Sequence, residues 1–156
     1  MNPSKVFNQL SGWPLGHKLF SWIVCLKAPY FSSINPIFLE LTETKCVLLL
    51  NKRRKVLNHF GSVHAIAMCN ACELAMGMTM QSGLMPHLRW IPKGMTVQYL
   101  KKANTNLKVV CEVPYIKKAQ PGDVTVLVKV FDLMKQEVMS AEIVVYVSEV
   151  KPSLKA

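Results

Sequence analysis

The sequence lacks an uninterrupted apolar run of the length that a membrane helix needs. About half of its residues are hydrophobic (51%), but the longest apolar run near the N-terminus, residues 21–26 with its neighbours, is far below the roughly 20 residues that span a bilayer. The chain opens with the polar, amphipathic MNPSKVFNQL instead of the basic and apolar stretches of an export signal. We therefore expect a cytoplasmic protein without a membrane partner.

The sequence also lacks a cysteine pattern that would indicate disulfides or a metal site. Its five Cys, an odd number, each have at least one apolar neighbour and lie outside turn-rich loops, which is typical of reduced thiols in a core. Cys69 and Cys72 form a C-x-x-C, but no second Cys pair or suitably spaced His pair completes a zinc site. We expect no metal and no cofactor.

Acidic residues are scarce: 9 Asp and Glu stand against 19 Lys and Arg, which gives a formal charge of +10. Such an excess favours an anionic partner without identifying it. The densest basic cluster, Lys52, Arg53, Arg54 and Lys55, is able to meet nucleotide phosphates, an acidic carrier protein, a membrane surface or nucleic acid. Because basic and aromatic residues are not interleaved, we expect no nucleic-acid binding.

The N-terminal third predicts a helical flap. A chain of 156 residues fits one domain, which we expect to cover residues 1–156. Asn2-Pro3 predicts the start of a first helix, and a second helix over residues 15–27 ends before Pro29. We assign residues 1–43 to this flap and residues 44–150 to the core.

One long helix and several strands are expected in the core. The helix is predicted from Val63 to about Met80 with Ser62 as its cap, and because it is apolar on nearly all sides we expect it to be buried against a sheet. Alternating apolar residues predict strands, separated by short turns, over residues 44–53, 95–99, 107–113, 124–130 and 141–147. One buried helix with about five antiparallel strands is an α+β layout.

A polar stretch before the long helix carries the candidate site: Asn58-His59-Phe60-Gly61-Ser62-Val63-His64-Ala65, followed by Glu73. Its spacing resembles that of hotdog-fold thioesterases of the phenylacetate-pathway type. They have an Asn, then Gly-Thr-x-His-Gly-Gly with its His six residues after the Asn, and an acidic residue nine beyond the His. The helix and the segment Leu-Arg-Trp-Ile-Pro-Lys-Gly-Met resemble an uncharacterised DUF4442-like branch more closely. The resemblance implies a hotdog fold, in which an antiparallel sheet wraps one long central helix.

Helix geometry separates His64 from Glu73. Nine residues of α-helix advance about 13.5 Å and turn about 900°, so the two side chains point to opposite sides. If both act on one substrate, Glu73 must come from a second copy, which makes a two-fold homodimer the natural assembly, possibly within a tetramer of dimers. The resemblance implies the same arrangement.

Roles in thioester hydrolysis follow from the chemistry that this reaction needs. Glu73 is the only acidic residue between Glu43 and Glu112, and on an apolar, buried helix it is the candidate base or nucleophile. The backbone N–H of Ala65, at the positive end of the helix, is the candidate oxyanion donor. His64 would orient that turn or the thioester carbonyl.

The remaining candidate residues would hold water or substrate. We expect Asn58 to position the water or the substrate, and Gly61 with Lys52, Arg53, Arg54 and Lys55 to bind the carrier part of the substrate.

Two functions are compatible with these residues. The first is an acyl thioester hydrolase that acts on acyl-CoA or acyl-carrier-protein substrates at a dimer interface. The second is a non-catalytic binder of acyl-CoA or fatty acids, because Ala65-Ile66 stands where the family has Gly-Gly, and the missing glycines restrict close approach to the backbone.

Overall fold

The structure is a computed structural model that describes residues 2–150. Three 3-10 turns lie at Pro29–Ser33, Arg54–Val56 and Ile116–Lys118. None of the helices within residues 2–150 has the length and apolar character needed to cross a membrane. The helices and strands, in chain order, are α1 (Pro3–Ser11), α2 (Gly16–Lys27), β1 (Ile37–Leu41), β2 (Lys45–Leu50), α3 (Ala65–Gly83), β3 (Leu88–Tyr99), β4 (Leu107–Glu112), β5 (Gly122–Phe131) and β6 (Glu137–Glu149).

The strands form one antiparallel sheet in the order β1-β2-β4-β5-β6-β3. Strands β4 to β6 make the meander that the short turns predict. Strand β3 instead crosses to the far edge of the sheet and pairs with β6. These two strands have similar lengths, 12 and 13 residues, whereas β4 has only 6. One side of β3 is therefore a free edge of the sheet. Pro92 is tolerated within this edge strand, next to a register shift.

Helix α3 lies against one face of this sheet. Its fully buried side chains, among them Ala75, Met76 and Met80, pack on the alternating inward residues of the strands, such as Val109 and Val128. The other face of each strand points away from the helix, which gives the strict alternation in β4 (buried, exposed, buried). This is the predicted α+β architecture of a sheet against one long central helix.

The long helix differs from its prediction in two respects. It begins at Ala65 with His64 as its N-cap, so the expected cap Ser62 lies outside it. It is also uncovered on one side, where Ile66, Glu73 and Gln81 are exposed, because the sheet covers only one face and the flap only part of the other.

The flap is smaller than predicted. Residues 37–41, which we assigned to it, form strand β1 at the edge of the sheet, so the sheet begins at Ile37. The two flap helices are confirmed: the side chain of Asn2 caps α1 by accepting from the N–H of Ser4, and α2 ends at the residue before Ala28-Pro29.

Tight packing fixes the flap to the sheet. A Cβ at Gly16 would lie 1.7 Å from the carbonyl oxygen of Leu10, so only glycine allows the two helices to meet there. Edge-to-face ring contacts link α1, α2 and β1 through Phe7, Phe20 and Phe38, with centroids 5.2 and 5.0 Å apart. The flap is therefore held as one body beside α3.

Candidate active site

The loop before α3 is a small hairpin held by its own backbone. Leu57 and Val63 pair as an isolated bridge, the N–H of His64 donates to the carbonyl of Val56 at 2.8 Å, and the chain reverses over residues 59–61. Gly61 has a φ of +74°, in the left-handed region that glycine adopts without strain, and a Cβ there would meet nothing within 4 Å. The turn therefore needs the backbone freedom of Gly61 and not its small size.

Asn58 organises this loop. Its Oδ1 accepts from the N–H of Phe60 (3.0 Å), the N–H of Ser62 (3.2 Å) and the hydroxyl of Ser62 (3.2 Å), and its Nδ2 lies 2.9 Å from the same hydroxyl. Both ends of the amide are thus occupied within the loop. We expected Asn58 to hold water or substrate. In this structure its side chain instead shapes the turn that leads to α3.

His64 caps α3 through its ring. Nδ1 accepts from the N–H of Ile66 at 3.1 Å, and the His64 carbonyl accepts from the N–H groups of Ala67 (3.0 Å) and Met68 (3.2 Å). Among the hydrogen bonds of residues 2–150, none has the N–H of Ala65 as donor, so it is the one amide of the first turn without a partner. At the positive end of the helix, a free N–H suits an incoming oxyanion.

Glu73 lies about 13.5 Å along α3 from His64, by the rise of an α-helix. Its side chain is exposed, and within residues 2–150 it takes part in none of the hydrogen bonds or ion pairs. The burial that we expected for this carboxylate is therefore absent in the single chain. The structure brings Asn58, Gly61, His64 and Ala65 together and leaves Glu73 apart from them.

Glu73 instead opens on an apolar pocket of about 580 Å³ between the flap and α3. Phe20 and Val24 of α2 form one wall, and Trp90 of β3 forms another. Trp90 packs so closely on α3 that a Cβ at Gly77 would lie 3.1 Å from its Cη2 atom. Besides Glu73, the polar side chains that line the pocket are those of Lys27 and Gln81.

Sequence reasoning missed this pocket. Its walls come from residues 3–31, 73–81 and 90–92, which are brought together only by the crossover of β3 to the edge of the sheet. One feature of the sequence pointed to it: Gly77 has no side chain and so leaves room for an aromatic ring against α3. The sequence does not indicate which ring fills that room.

The basic cluster of residues 52–55 divides into two parts. Arg53 donates from Nη2 to the carbonyl of Ser33 at 2.8 Å and has a buried Nε, so it fastens the turn after α2. The side chains of Lys52, Arg54 and Lys55 are exposed. Three of the four predicted substrate-binding cations are thus free to meet an anionic ligand.

The C-x-x-C pair shows the properties of core and packing residues. Burial raises the pKa of the Cys72 thiol far above its ordinary value of 9.0, which keeps it protonated. Cys69 lies 3.4 Å from the Tyr99 hydroxyl, and this hydrogen bond is the main reason why the pKa of Tyr99 rises to about 12. All five Cys are free thiols, as expected.

Known structures share this fold over three quarters or more of the chain. A structural-genomics protein designated APC5556 is 39% identical, with a TM-score of 0.84 over 95% of this chain and 99% of its own. PA5026 from Pseudomonas aeruginosa, a protein of unknown function named a probable thioesterase, is 15% identical, with a TM-score of 0.78 over 88% of this chain and 97% of its own. The protein smu.793 from Streptococcus mutans UA159, solved with acetyl CoA, is 18% identical, with a TM-score of 0.64 over 75% and 91%.

These likenesses confirm the predicted hotdog fold. A search of curated protein sequences gives no match. The family described as a domain of unknown function, DUF4442, matches residues 16–147, which span the second flap helix, the loop, α3 and the sheet up to the last two residues of β6. The chain therefore belongs to the DUF4442 family.

Proposed function

We propose that the chain hydrolyses acyl thioesters at a site that two copies complete together. The observation that carries the proposal is the carboxylate of Glu73, which forms no ion pair or side-chain hydrogen bond within residues 2–150 and opens on an apolar pocket. If a second copy covers this face, the carboxylate is removed from water, and such a carboxylate is costly unless it is paired or used. The pocket fits an acyl chain, and the carboxylate stands at its wall.

Two unpartnered surfaces support a homodimer. Strand β3 leaves one edge of the sheet unpaired, and such an edge is a template for a second strand. The uncovered side of α3 carries Ile66, Glu73 and Gln81 in a line, at spacings that place them on one face of a helix. A two-fold axis beside β3 would pair both features with their copies and bring Glu73 of one subunit toward the loop of the other.

Hydrolysis then uses the parts that the chain supplies. Glu73 takes a proton from a water molecule whose oxygen attacks the thioester carbonyl carbon. The negative charge that develops on the carbonyl oxygen is held by the Ala65 N–H of the other subunit. When the tetrahedral intermediate collapses, the carbon–sulfur bond breaks, and the thiolate leaves and takes up the proton, which gives a carboxylic acid and a thiol.

For the carrier of the acyl group we propose CoA or an acyl carrier protein. Lys52, Arg54 and Lys55 are exposed cations that suit the phosphates of either carrier. The relative smu.793 was solved with acetyl CoA, which supports the choice of CoA.

The proposal is tested by Glu73→Gln, which keeps size and removes the base. With a series of acyl-CoA thioesters of increasing chain length, we expect kcat to fall about 100-fold to 10,000-fold, the usual contribution of a general base. Glu142→Gln is the matched control, because Glu142 is an exposed glutamate on β6, and it should retain full activity. Sedimentation should give the same mass for both variants. Equal rates in the wild type and Glu73→Gln would reject this mechanism.

A non-catalytic binder of acyl-CoA or fatty acids is the second candidate. It is favoured by Ile66, whose exposed side chain follows Ala65 at the position where glycine would leave the free amide open. This candidate predicts saturable binding of a fatty acid or acyl-CoA in the pocket, with no thiol released by the wild type from any thioester in the series.

A further inference from the structure

Helix α2 has two apolar faces. Its inner face, with Phe20, Ile23 and Val24, lines the pocket beside α3. Its outer face bears Leu15, Leu19, Trp22 and Leu26, which are 70%, 40%, 59% and 61% exposed.

The outer residues form a continuous stripe. Their spacings of four, three and four residues place them on one side of the helix over about 16.5 Å. Two more exposed aromatic residues flank α2 in the sequence, Trp13 before it and Tyr30 after it. Single exposed apolar side chains are ordinary, but a contiguous stripe of this kind indicates an interaction surface.

Leucine is an unusual residue for the backbone conformation at position 15. Leu15 is the N-cap of α2 with a φ of 64°, in the left-handed region, and its side chain makes no capping hydrogen bond. Glycine or asparagine would fit this position with less strain and more affinity for water. An exposed leucine there is costly in water and becomes favourable when its side chain enters an apolar phase.

The charge around the stripe has one sign. The first 39 residues contain no Asp or Glu, because Glu40 is the first acidic residue of the chain. They contain three lysines, of which Lys18 is exposed on α2 beside the stripe, whereas Lys27 lines the pocket on the inner face of the helix. An apolar stripe with Trp and Leu that is bordered by a lysine, on a helix without acidic residues, fits a helix that lies in the interface of an anionic bilayer.

We propose that the outer face of α2 docks on an anionic lipid surface. The helix lies in the plane of the membrane, with Leu15, Leu19, Trp22 and Leu26 in the boundary between headgroups and acyl chains and Lys18 among the lipid phosphates. This replaces the expectation from the sequence that there is no membrane partner, because the exposure of the stripe is visible only in the fold. The proposal is independent of whether a thioester is hydrolysed.

Vesicle flotation tests the proposal with the whole protein. The wild type should bind vesicles of phosphatidylcholine with phosphatidylserine about tenfold more strongly than phosphatidylcholine alone, and less so at high salt. Trp22→Ser with Leu26→Ser should weaken binding more than tenfold. The control pair Leu133→Ser with Met134→Ser removes two comparably exposed apolar residues from the turn between β5 and β6 and should bind as the wild type does.

Further outcomes separate lipid from other occupants of the stripe. Lys18→Glu should reduce binding to the anionic vesicles about fivefold and leave binding to neutral vesicles unchanged. Absence of wild-type binding to anionic vesicles, or equal losses in both serine pairs, would overturn the proposal. A smaller assembly of the Trp22→Ser, Leu26→Ser variant in the absence of vesicles would also overturn it, since the stripe would then join two copies of the chain.

Discussion

The loop that precedes α3 and the pocket that holds Glu73 differ in how they are held. The loop is closed mostly by hydrogen bonds among residues 56–66, and at its end the N–H of Ala65 has no partner within residues 2–150. The pocket is assembled from the flap, α3 and β3, and its carboxylate has no partner within residues 2–150. The loop, the local half of the site, is thus formed by one short segment that makes most of its own hydrogen bonds. The pocket, the other half, depends on distant segments of the chain, and its carboxylate has no partner in the part of the chain that the structure describes. Substitutions in the two halves should therefore have different effects.

Asn58→Ala should have the largest effect, because it removes the acceptor of three hydrogen bonds at once. We expect the free energy of unfolding to fall by about 1–3 kcal/mol, since the Ser62 amide beside it is left unsatisfied. Thioester hydrolysis should fall about 100-fold, because a shift of about 1 Å in a catalytic group can cost this much. Urea unfolding and initial rates measure both effects.

Asn58→Asp is the matched control for that substitution. It keeps an Oδ1 acceptor for the backbone N–H groups and loses only the donation to the Ser62 hydroxyl, so it should retain most of the stability. Equal destabilisation by both changes would contradict the role of Oδ1 as loop organiser.

His64→Ala should have an intermediate effect. Removing the ring removes the N-cap of α3, which costs about 0.5–2 kcal/mol of stability. His64→Asn restores a capping oxygen and should recover most of the melting temperature. If the asparagine variant recovers stability but not kcat, His64 also acts on the substrate; if it recovers both, capping is its whole contribution.

Gly77→Ala should have the smallest effect on stability and acts on the other half of the site. The new Cβ would lie 3.1 Å from the ring of Trp90, so the ring must move by a few tenths of an ångström and the pocket wall with it. We expect a change of severalfold in the preference for long over short acyl chains, with kcat for the best substrate nearly unchanged. Chain-length preference that is the same in both proteins would place the acyl group elsewhere.

In the local half of the site, the course of the backbone is also what the sequence predicts well. Asn58, Gly61, His64 and Ala65 lie within eight residues, so their spacing is enough to identify a turn that leads into a helix. The sequence did not distinguish which residue caps the helix, because the side chains of Ser62 and His64 both carry an acceptor. In the structure the Ser62 hydroxyl is bonded to Asn58 and does not cap the helix. The strands that alternate in burial were predicted for the same reason, since a period of two is a local property.

The pocket and the order of the strands required information that no short segment contains. The position of β3 beside β6 depends on matching strand lengths more than 35 residues apart in the chain. Strand β1 was assigned to the flap because its five residues, Ile-Phe-Leu-Glu-Leu, show no clean alternation, and a bulge between Phe38 and Glu40 explains why. The exposure of Glu73 likewise depends on which faces of α3 the sheet leaves uncovered.

The hydrogen bond that caps α3 also fixes the chemical form of the His64 ring. Because Nδ1 accepts from the N–H of Ile66, it carries no proton, and a neutral imidazole must then carry its hydrogen on Nε2. This tautomer presents a donor to whatever lies in front of the loop, so His64 is suited to polarise a carbonyl oxygen and unsuited to remove a proton from water.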